Sequence, residues 1–263
     1  MPVARLTDRS VVVVGGPDAR GFLQDLVTND VALLALDRSL WAGLLTAQGK
    51  PLFDMIVFDG GDGAVHLDVL ADRATALAAR LTMMRLRRSV TVAARPDLHV
   101  FAAWDKSAAC PADPQLAALG ARWTAPAADT DTDLAAYTAH RLDLGVPDSS
   151  DLLVDRMLWL EANAVELNGV SFTKGCYTGQ ENTARMHHRD KLRRRLLPVR
   201  LAGDPAEATI TAGGVAVGEL RRHADGRGVA YLKLDAVAGP LTAGGVAVAV
   251  DWPAWLPRDT ASG

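Results

Sequence analysis

Lys174–Arg189 reads KGCYTGQENTARMHHR and sets one of only two cysteines in the chain among two glycines, two histidines and several cations. Within it, Thr178-Gly179-Gln180-Glu181 has the T-x-x-E form of a capping box. In that motif a threonine hydroxyl accepts from the third helical N–H and the glutamate reaches back to the cap. The spacing predicts a helix capped by Thr178 and running to about His188. Cys176 then lies two residues ahead of the cap, at the positive end of the helix dipole and close to Lys174. Both neighbours favour a thiolate. Gly175 and Gly179 keep the backbone around it free of side chains. An accessible, acidified cysteine is expected, against the alternative of a buried structural thiol.

Ligand counting limits what that thiolate does. His187 and His188 lie 11 and 12 residues on from Cys176. In a regular helix this is three turns, roughly 15 Å, too far for a hydrogen-bonded Cys–His pair. Zinc wants four ligands, and neither C-x-x-C nor H-x-x-x-H occurs. An iron–sulfur cluster typically wants four as well. A lone exposed thiolate is left with a cluster shared with another protein. The cations Arg185, Arg189, Lys191, Arg193, Arg194 and Arg195 stand against one acid, Asp190. They read as a solvated helix end, as a site for a polyglutamate tail or an acidic partner, or, more weakly, as an RNA surface, since no aromatic residues interleave for stacking.

Upstream, VVVV (Val11–Val14) reads as a strand and GGPDARGFLQDLVTNDV as a turn into a helix, with Phe22, Leu23, Leu26 and Val27 at helical spacing. The Gly15-Gly16 pair lacks G-x-G-x-x-G spacing, so a tight strand-to-helix turn is expected in place of a phosphate cradle. WAGLL and PLFDMIVF flank AQGK, and a second strand pair flanks DGGDG, which together predict an antiparallel meander. A helix is expected from Asp72 with Leu77, Leu81 and Met84 on one face, then strands SVTVAA and LHVFAAW. Residues from about Ala108 to Asp133 read as loop with one short helix. DLAAYTAHRLDLGVP reads as a strand and a helix start. SSDLLVDRMLWLEANAVEL reads as a helix with Leu153, Met157, Leu160 and Ala164 on one face. After Arg195, short strands with glycine turns predict a small β-barrel of roughly 65 residues. GGVAV, at Gly213 and again at Gly244, predicts two similar hairpins there.

The apolar fraction is 49% and the net charge is −3 at pH 7, which suits a sizeable core and argues against a broad nucleic-acid surface. Two cysteines make no disulfide framework. No targeting segment and no apolar run near 20 residues is seen, so no membrane role is expected and a cytoplasmic protein is.

Asn168–Val199, NGVSFTKGCYTGQENTARMHHRDKLRRRLLPV, closely resembles the K-G-C-Y-x-G-Q-E signature of the YgfZ family. Its ARMHHR…RRRLLPV continuation is more like the mitochondrial iron–sulfur assembly branch than the enterobacterial one. The resemblance extends through GPDARGFLQDLVTNDV, TAQGKPLFDMIV and RLDLGVP. It implies kinship with the aminomethyltransferase (T-protein) of the glycine cleavage system. It also implies an α+β chain forming a three-domain GcvT-like ring around a folate-sized channel. The implied units are residues 1–47 with 137–193, which carry the signature, a ferredoxin-like unit over 48–136, and a C-terminal barrel over 194–263.

The T-protein's K-G-D-F-I-G loop resembles Lys174–Gly179, with Cys176 in place of its aspartate. Its folate-contacting acid in D-D-x-I-V matches Asp54, where Phe53 replaces the first acid. Its R-x-E-A-G glutamate matches Glu161 in LWLEAN, where Trp159 and Asn163 depart from the pattern. A pterin offers paired N–H donors that reward such a carboxylate. The resemblance thus implies tetrahydrofolate as cofactor, with Asp54, Glu161, Lys174, Tyr177 and Arg185 as its candidate site. It implies Cys176 as a ligand of a transient [2Fe–2S] cluster, or as a reactive thiol, shared with an A-type carrier and serving [4Fe–4S] client proteins. No classical enzyme is expected. The alternative is a tetrahydrofolate-dependent aminomethyl or methyl transferase. His66, His99, His140, His223 and Cys110 receive no role.

Overall fold

The computed structural model describes residues 2–104, 110–188 and 192–258. Alternation of period two builds its central layer. In strand β2 (Arg9–Gly15), Val12 and Val14 enter one core while Val11 and Val13 pack in another. It pairs antiparallel with β5 (Val65–Leu70) and β6 (Thr91–Ala94). With β3 (Leu40–Leu45) and β4 (Pro51–Asp59) these make a five-stranded sheet of order β3-β4-β5-β2-β6. Helices α1 (Ala19–Gln24) and α2 (Ala74–Met84) cover one face, with Phe22, Leu23, Leu77 and Leu81 packed on Leu44, Met55, Val57 and Leu67. The order β4-β5-β2-β6 under two helices is a ferredoxin-like layer, with β3 as an added edge. Along the same strands, Trp41, Asp54, Ile56, Phe58 and Asp68 take the opposite face, where Trp41, Ile56 and Phe58 join a second core with Met157, Trp159 and Leu160.

β1 (Val3–Arg5), β7 (His99–Ala103) and β8 (Ala121–Ala125) form a small antiparallel sheet of order β1-β7-β8. Tyr137 of α3 (Leu134–Asp143) packs on it. Helix α4 spans Gln180–His188. Strands β9 (Arg194–Leu201), β10 (Thr209–Ala212), β11 (Val215–Ala224), β12 (Arg227–Lys233), β13 (Leu241–Ala243) and β14 (Val246–Val250) close a barrel, β10-β11-β12-β9-β14-β13. The two GGVAV repeats open hairpin partners as expected. Gly213-Gly214 and Gly244-Gly245 all have positive φ, the signature of the turn whose twist matches two flanking strands. No helix among the described residues is long and apolar enough to cross a membrane.

Four expectations change. The boundary at 47/48 falls inside the β3–β4 hairpin, paired from Leu40↔Val57 to Leu45↔Pro51, so the ferredoxin-like layer is residues 9–94 and not 48–136. Strand β8 occupies part of the expected loop, held by pairing to β7 that no local pattern announces. Leu134–Asp143 is helix throughout, capped by the Asp133 side chain on the Ala136 N–H. The 149–167 segment is not one helix. Its periodic Leu153, Met157, Leu160 and Ala164 do enter one core, yet the backbone runs as short 3-10 turns, Ser149–Asp151 and Trp159–Ala162. Asp155 and Asn163 adopt positive φ within it and Asn168 just after it, which aspartate and asparagine tolerate best among residues with a Cβ.

Candidate functional site

The cysteine loop is pinned on both sides of its apex. Lys174 and Tyr177 are buried, whereas Gly175 and Cys176 are exposed. The Lys174 ammonium donates to three main-chain carbonyls, those of Gln24, Val27 and Asn29. These belong to the end of α1 and the turn after it, where carbonyls lack helical partners and a cation suits the dipole. Burial draws the Lys174 ammonium down to about 8, opposed by the charges of Asp30 and Asp25. Its nitrogen also lies 5.1 Å from the Tyr177 ring centroid, within cation–π range. Burial pushes the Tyr177 phenol up to about 12. Its hydroxyl has no partner of good geometry, and the neighbouring Thr183 hydroxyl donates to the Gly179 carbonyl.

Helix α4 begins one residue later than the capping box predicts. Its first acceptor is the Gly179 carbonyl, which takes the Thr183 N–H at 3.1 Å, so Gly179 is the cap. Thr178 is exposed. The physical reason is close packing: Gly179 has φ +87°, and a Cβ there would sit 2.5 Å from the Thr46 carbonyl oxygen. The AQGK turn lies directly beneath. Asn182 Nδ2 donates to the Gln48 carbonyl at 2.7 Å, and Gly49 accepts from the Trp159 N–H at 2.9 Å.

The expected patch of cations is not one surface. Arg195 is buried and donates twice to Glu166 Oε1 at 2.9 Å. Arg194 lies over the Tyr231 ring at 5.5 Å. Arg185 is exposed on α4 and donates to Asn182 Oδ1 at 2.7 Å. Arg189, Asp190 and Lys191 lie outside the described residues. His187 stacks on Phe172 at 4.1 Å and meets His188 at 4.9 Å, tying the end of α4 to the start of the cysteine loop. Among the described residues no three His, Cys, Asp or Glu side chains are grouped to hold a metal.

Asp54 sits elsewhere, within a buried polar chain. Its Oδ2 accepts from Trp41 Nε1 at 3.2 Å and from the Ser149 hydroxyl at 2.8 Å. Ser149 in turn accepts from Arg9 at 2.7 Å. Arg9 is paired with Asp68 at 2.6 Å, and Asp68 is paired with Arg122, also at 2.6 Å. Burial pushes the Asp54 carboxyl up, the Arg9 charge and the Ser149 hydrogen bond pull it back, and Asp148 adds to the rise. Folded Asp54 therefore binds a proton more readily than in the unfolded chain. Its contribution to stability is present in acid and lost as pH rises through the elevated value. Asp54→Asn is accordingly expected to raise the melting temperature at pH 7.5, with the gain vanishing near pH 4. A lower melting temperature at pH 7.5 would show that attraction to Arg9 outweighs desolvation.

Asp54 and Glu161 hold separate sets of hydrogen-bond partners. Asp54, Ser149, Phe53, Leu152, Val154 and Arg73 line a cavity of about 40 Å³ to which Glu161 does not contribute. Small-molecule sites run to roughly 300–1,000 Å³, well above this volume. Glu161 Oε2 accepts from the Leu158 N–H and from the Tyr231 hydroxyl, each at 2.7 Å, beneath the barrel. The Trp41 indole and the Ser149 hydroxyl supply to Asp54 the donors a pterin would bring. The five residues proposed for folate are thus dispersed: Asp54 in the polar chain, Glu161 under the barrel, Lys174 and Tyr177 as loop anchors, Arg185 on the surface of α4. A larger cavity, about 520 Å³, lies between α3 and the barrel around Trp255, and none of the candidates lines it. Sequence reading missed Trp41, Ser149, Arg9, Asp68 and Arg122, and only the alternation of β4 and β5, with Asp54 and Asp68 set inside apolar runs, pointed toward a polar seam on that face.

Comparison with known proteins agrees with this architecture. Residues 193–258 match the family model described as CAF17, C-terminal beta-barrel domain. The mouse protein named iron-sulfur cluster assembly factor IBA57, mitochondrial, is 36% identical over 284 residues, 90% of this chain and 79% of its own. The human protein of that name is 34% identical over 303 residues, covering 96% and 85%. Among solved structures, the glycine cleavage system aminomethyltransferase T of Bartonella henselae superposes with a TM-score of 0.76. It covers 98% of this chain and 86% of its own at 16% identity, a likeness of fold alone. These relatives also correct the expected cytoplasmic placement, since both IBA57 proteins are mitochondrial. Low cysteine content reports a reducing environment and does not distinguish between compartments that share one.

Proposed function

The chain belongs to the family of the IBA57 iron–sulfur cluster assembly factors, and from that premise we propose that Cys176 is the protein's contribution to a [2Fe–2S] cluster shared with an A-type carrier. The observation that carries this reading is the exposed Gly175-Cys176 apex held between two buried anchors, Lys174 and Tyr177. A nucleophile's active site would surround its thiol with a base and an orienting group. This apex is open instead: a Cβ placed on Gly175 would meet nothing within 4 Å. Ligation is a substitution at iron. The Cys176 thiol forms an Fe–S bond as one thiolate ligand of the loaded carrier's cluster leaves the same iron and takes up the released proton, so no electron moves. The carrier's thiolates supply the remaining ligands. Tetrahydrofolate has no step in this reading, and no feature around Asp54 favours a folate-dependent transferase over it.

The test is titration of the protein with [2Fe–2S]-loaded A-type carrier, followed by visible circular dichroism and by size-exclusion chromatography. Wild type is expected to give a cluster spectrum distinct from that of the carrier alone, and Cys176→Ser to give the carrier's own. Identical spectra and complexes for the two proteins would remove Cys176 from the coordination sphere.

A further inference from the structure

We propose that Lys174 is the positioning residue for Cys176, fixing where the thiol is presented by docking its ammonium on the three carbonyls that follow α1. The inference rests on the reading of Cys176 as a cluster ligand. An ammonium has three donors and no acceptor, and here the donors meet the carbonyls of Gln24, Val27 and Asn29. The receiving turn is itself braced. Gln24 Nε2 donates to Asp30 Oδ1 at 2.9 Å, and Gln24 Oε1 accepts from the Val31 N–H at 2.7 Å. Asp25 is paired with Arg88. The loop backbone is fastened nearby, where the Ser171 N–H donates to the Thr28 carbonyl at 3.0 Å and the Lys174 N–H to Ser171 Oγ at 3.2 Å.

Between Lys174 and Tyr177, by contrast, Gly175 and Cys176 lie exposed. The sulfur's position is therefore inherited from its two flanking anchors. Tyr177 supplies a packed ring whose hydroxyl is without a well-formed hydrogen bond. Lys174 supplies directional bonds, and with them the geometric definition. An orienting group of this kind acts on a metal site as a second-sphere partner does, where removal costs about 10–100-fold in affinity.

Two variants test it in the full-length protein, with the [2Fe–2S]-loaded A-type carrier as probe. Lys174→Met keeps the length of the side chain and removes all three donors. Lys174→Gln leaves two. Loss of affinity for the loaded carrier by about 10–100-fold is expected for the methionine, with an intermediate loss for the glutamine. The visible circular dichroism of the shared cluster should change in shape, a readout that lower stability alone does not move. Wild-type affinity and spectrum in Lys174→Met, with both lost in Cys176→Ser, would overturn the positioning role and leave the ligand reading standing. Wild-type behaviour in Cys176→Ser would overturn both. If Lys174→Met does not fold, the decision passes to Lys174→Gln and to Gln24→Ala, which loosens the receiving turn from the far side. Weaker cluster binding in those two supports the proposal, and unchanged binding ends it.

Discussion

Asp68→Ala is expected to lower the melting temperature by roughly 10 °C or to prevent folding. Asp68 is fully buried and stands between two arginines whose side chains are 2% exposed. Arg9 Nε reaches Oδ1 at 2.6 Å, and Arg122 Nε reaches Oδ2 at 2.8 Å. Removing the carboxylate leaves two guanidinium groups facing each other out of water. Breaking a buried pair in this way costs about 3–5 kcal/mol, and in a chain of this size each kcal/mol lowers the midpoint by roughly 2–4 °C. Asp113 and Asp148 compensate little, at 3.6 Å from Arg122 and 3.4 Å from Arg9. Asp68→Asn should be nearly as damaging despite its matching shape, because its amide presents donors to groups that only donate. Thermal melts at pH 7.5 decide the point. A shift below about 3 °C in Asp68→Ala, under 1 kcal/mol by the same scale, would mean that the two arginines find other partners.

On the proposed ligand role of Cys176, Gly179→Ala is expected to abolish the shared-cluster spectrum while leaving most of the fold in place. A left-handed conformation costs an ordinary residue about 1–2 kcal/mol, and here it is compounded by the 2.5 Å approach of the new methyl to the Thr46 carbonyl. Backbone and not a flexible side chain stands in the way. Either the AQGK turn or the start of α4 must move. The turn is tied to Trp159, outside both the cysteine loop and α4, so the cysteine loop yields. Hydrogen exchange is expected to show lost protection over residues 177–183 with little change in the barrel, together with loss of the shared-cluster spectrum. Wild-type protection across that stretch would show that the contact relaxes at no cost.

Much of the architecture is legible in the sequence because it is local. Alternation in Val11–Val14 and in PLFDMIVF, the helical spacing of Leu77 and Leu81, and the glycine pairs of the two GGVAV hairpins each declare an element within a few residues. The short strands and glycine turns after Arg195 declare the barrel, and the long signature around Cys176 adds the family. Elements whose cause is distant stay hidden. Strand β8 exists through its partner β7. The 149–167 segment keeps a helical burial period without a helical path, because Asp155 and Asn163 turn the chain while its apolar side chains still reach one core. The site divides in the same way. Cys176 is marked by its neighbours in sequence, whereas the polar chain joins Arg9, Asp54, Asp68, Arg122 and Ser149 from five separate segments. A lysine two residues from a cysteine suggests electrostatics, and only the fold reveals it as a peg.

That peg also dates the site. Lys174 and its acceptor Gln24 are 150 residues apart in the chain. A ribosome delivers the socket early and the peg late, after the central sheet has had time to close. Until the two meet, Cys176 is a thiol on a wandering segment. On the proposed positioning role, presentation of the sulfur doubles as a record of completion, and an unfinished copy lacks the rigid loop.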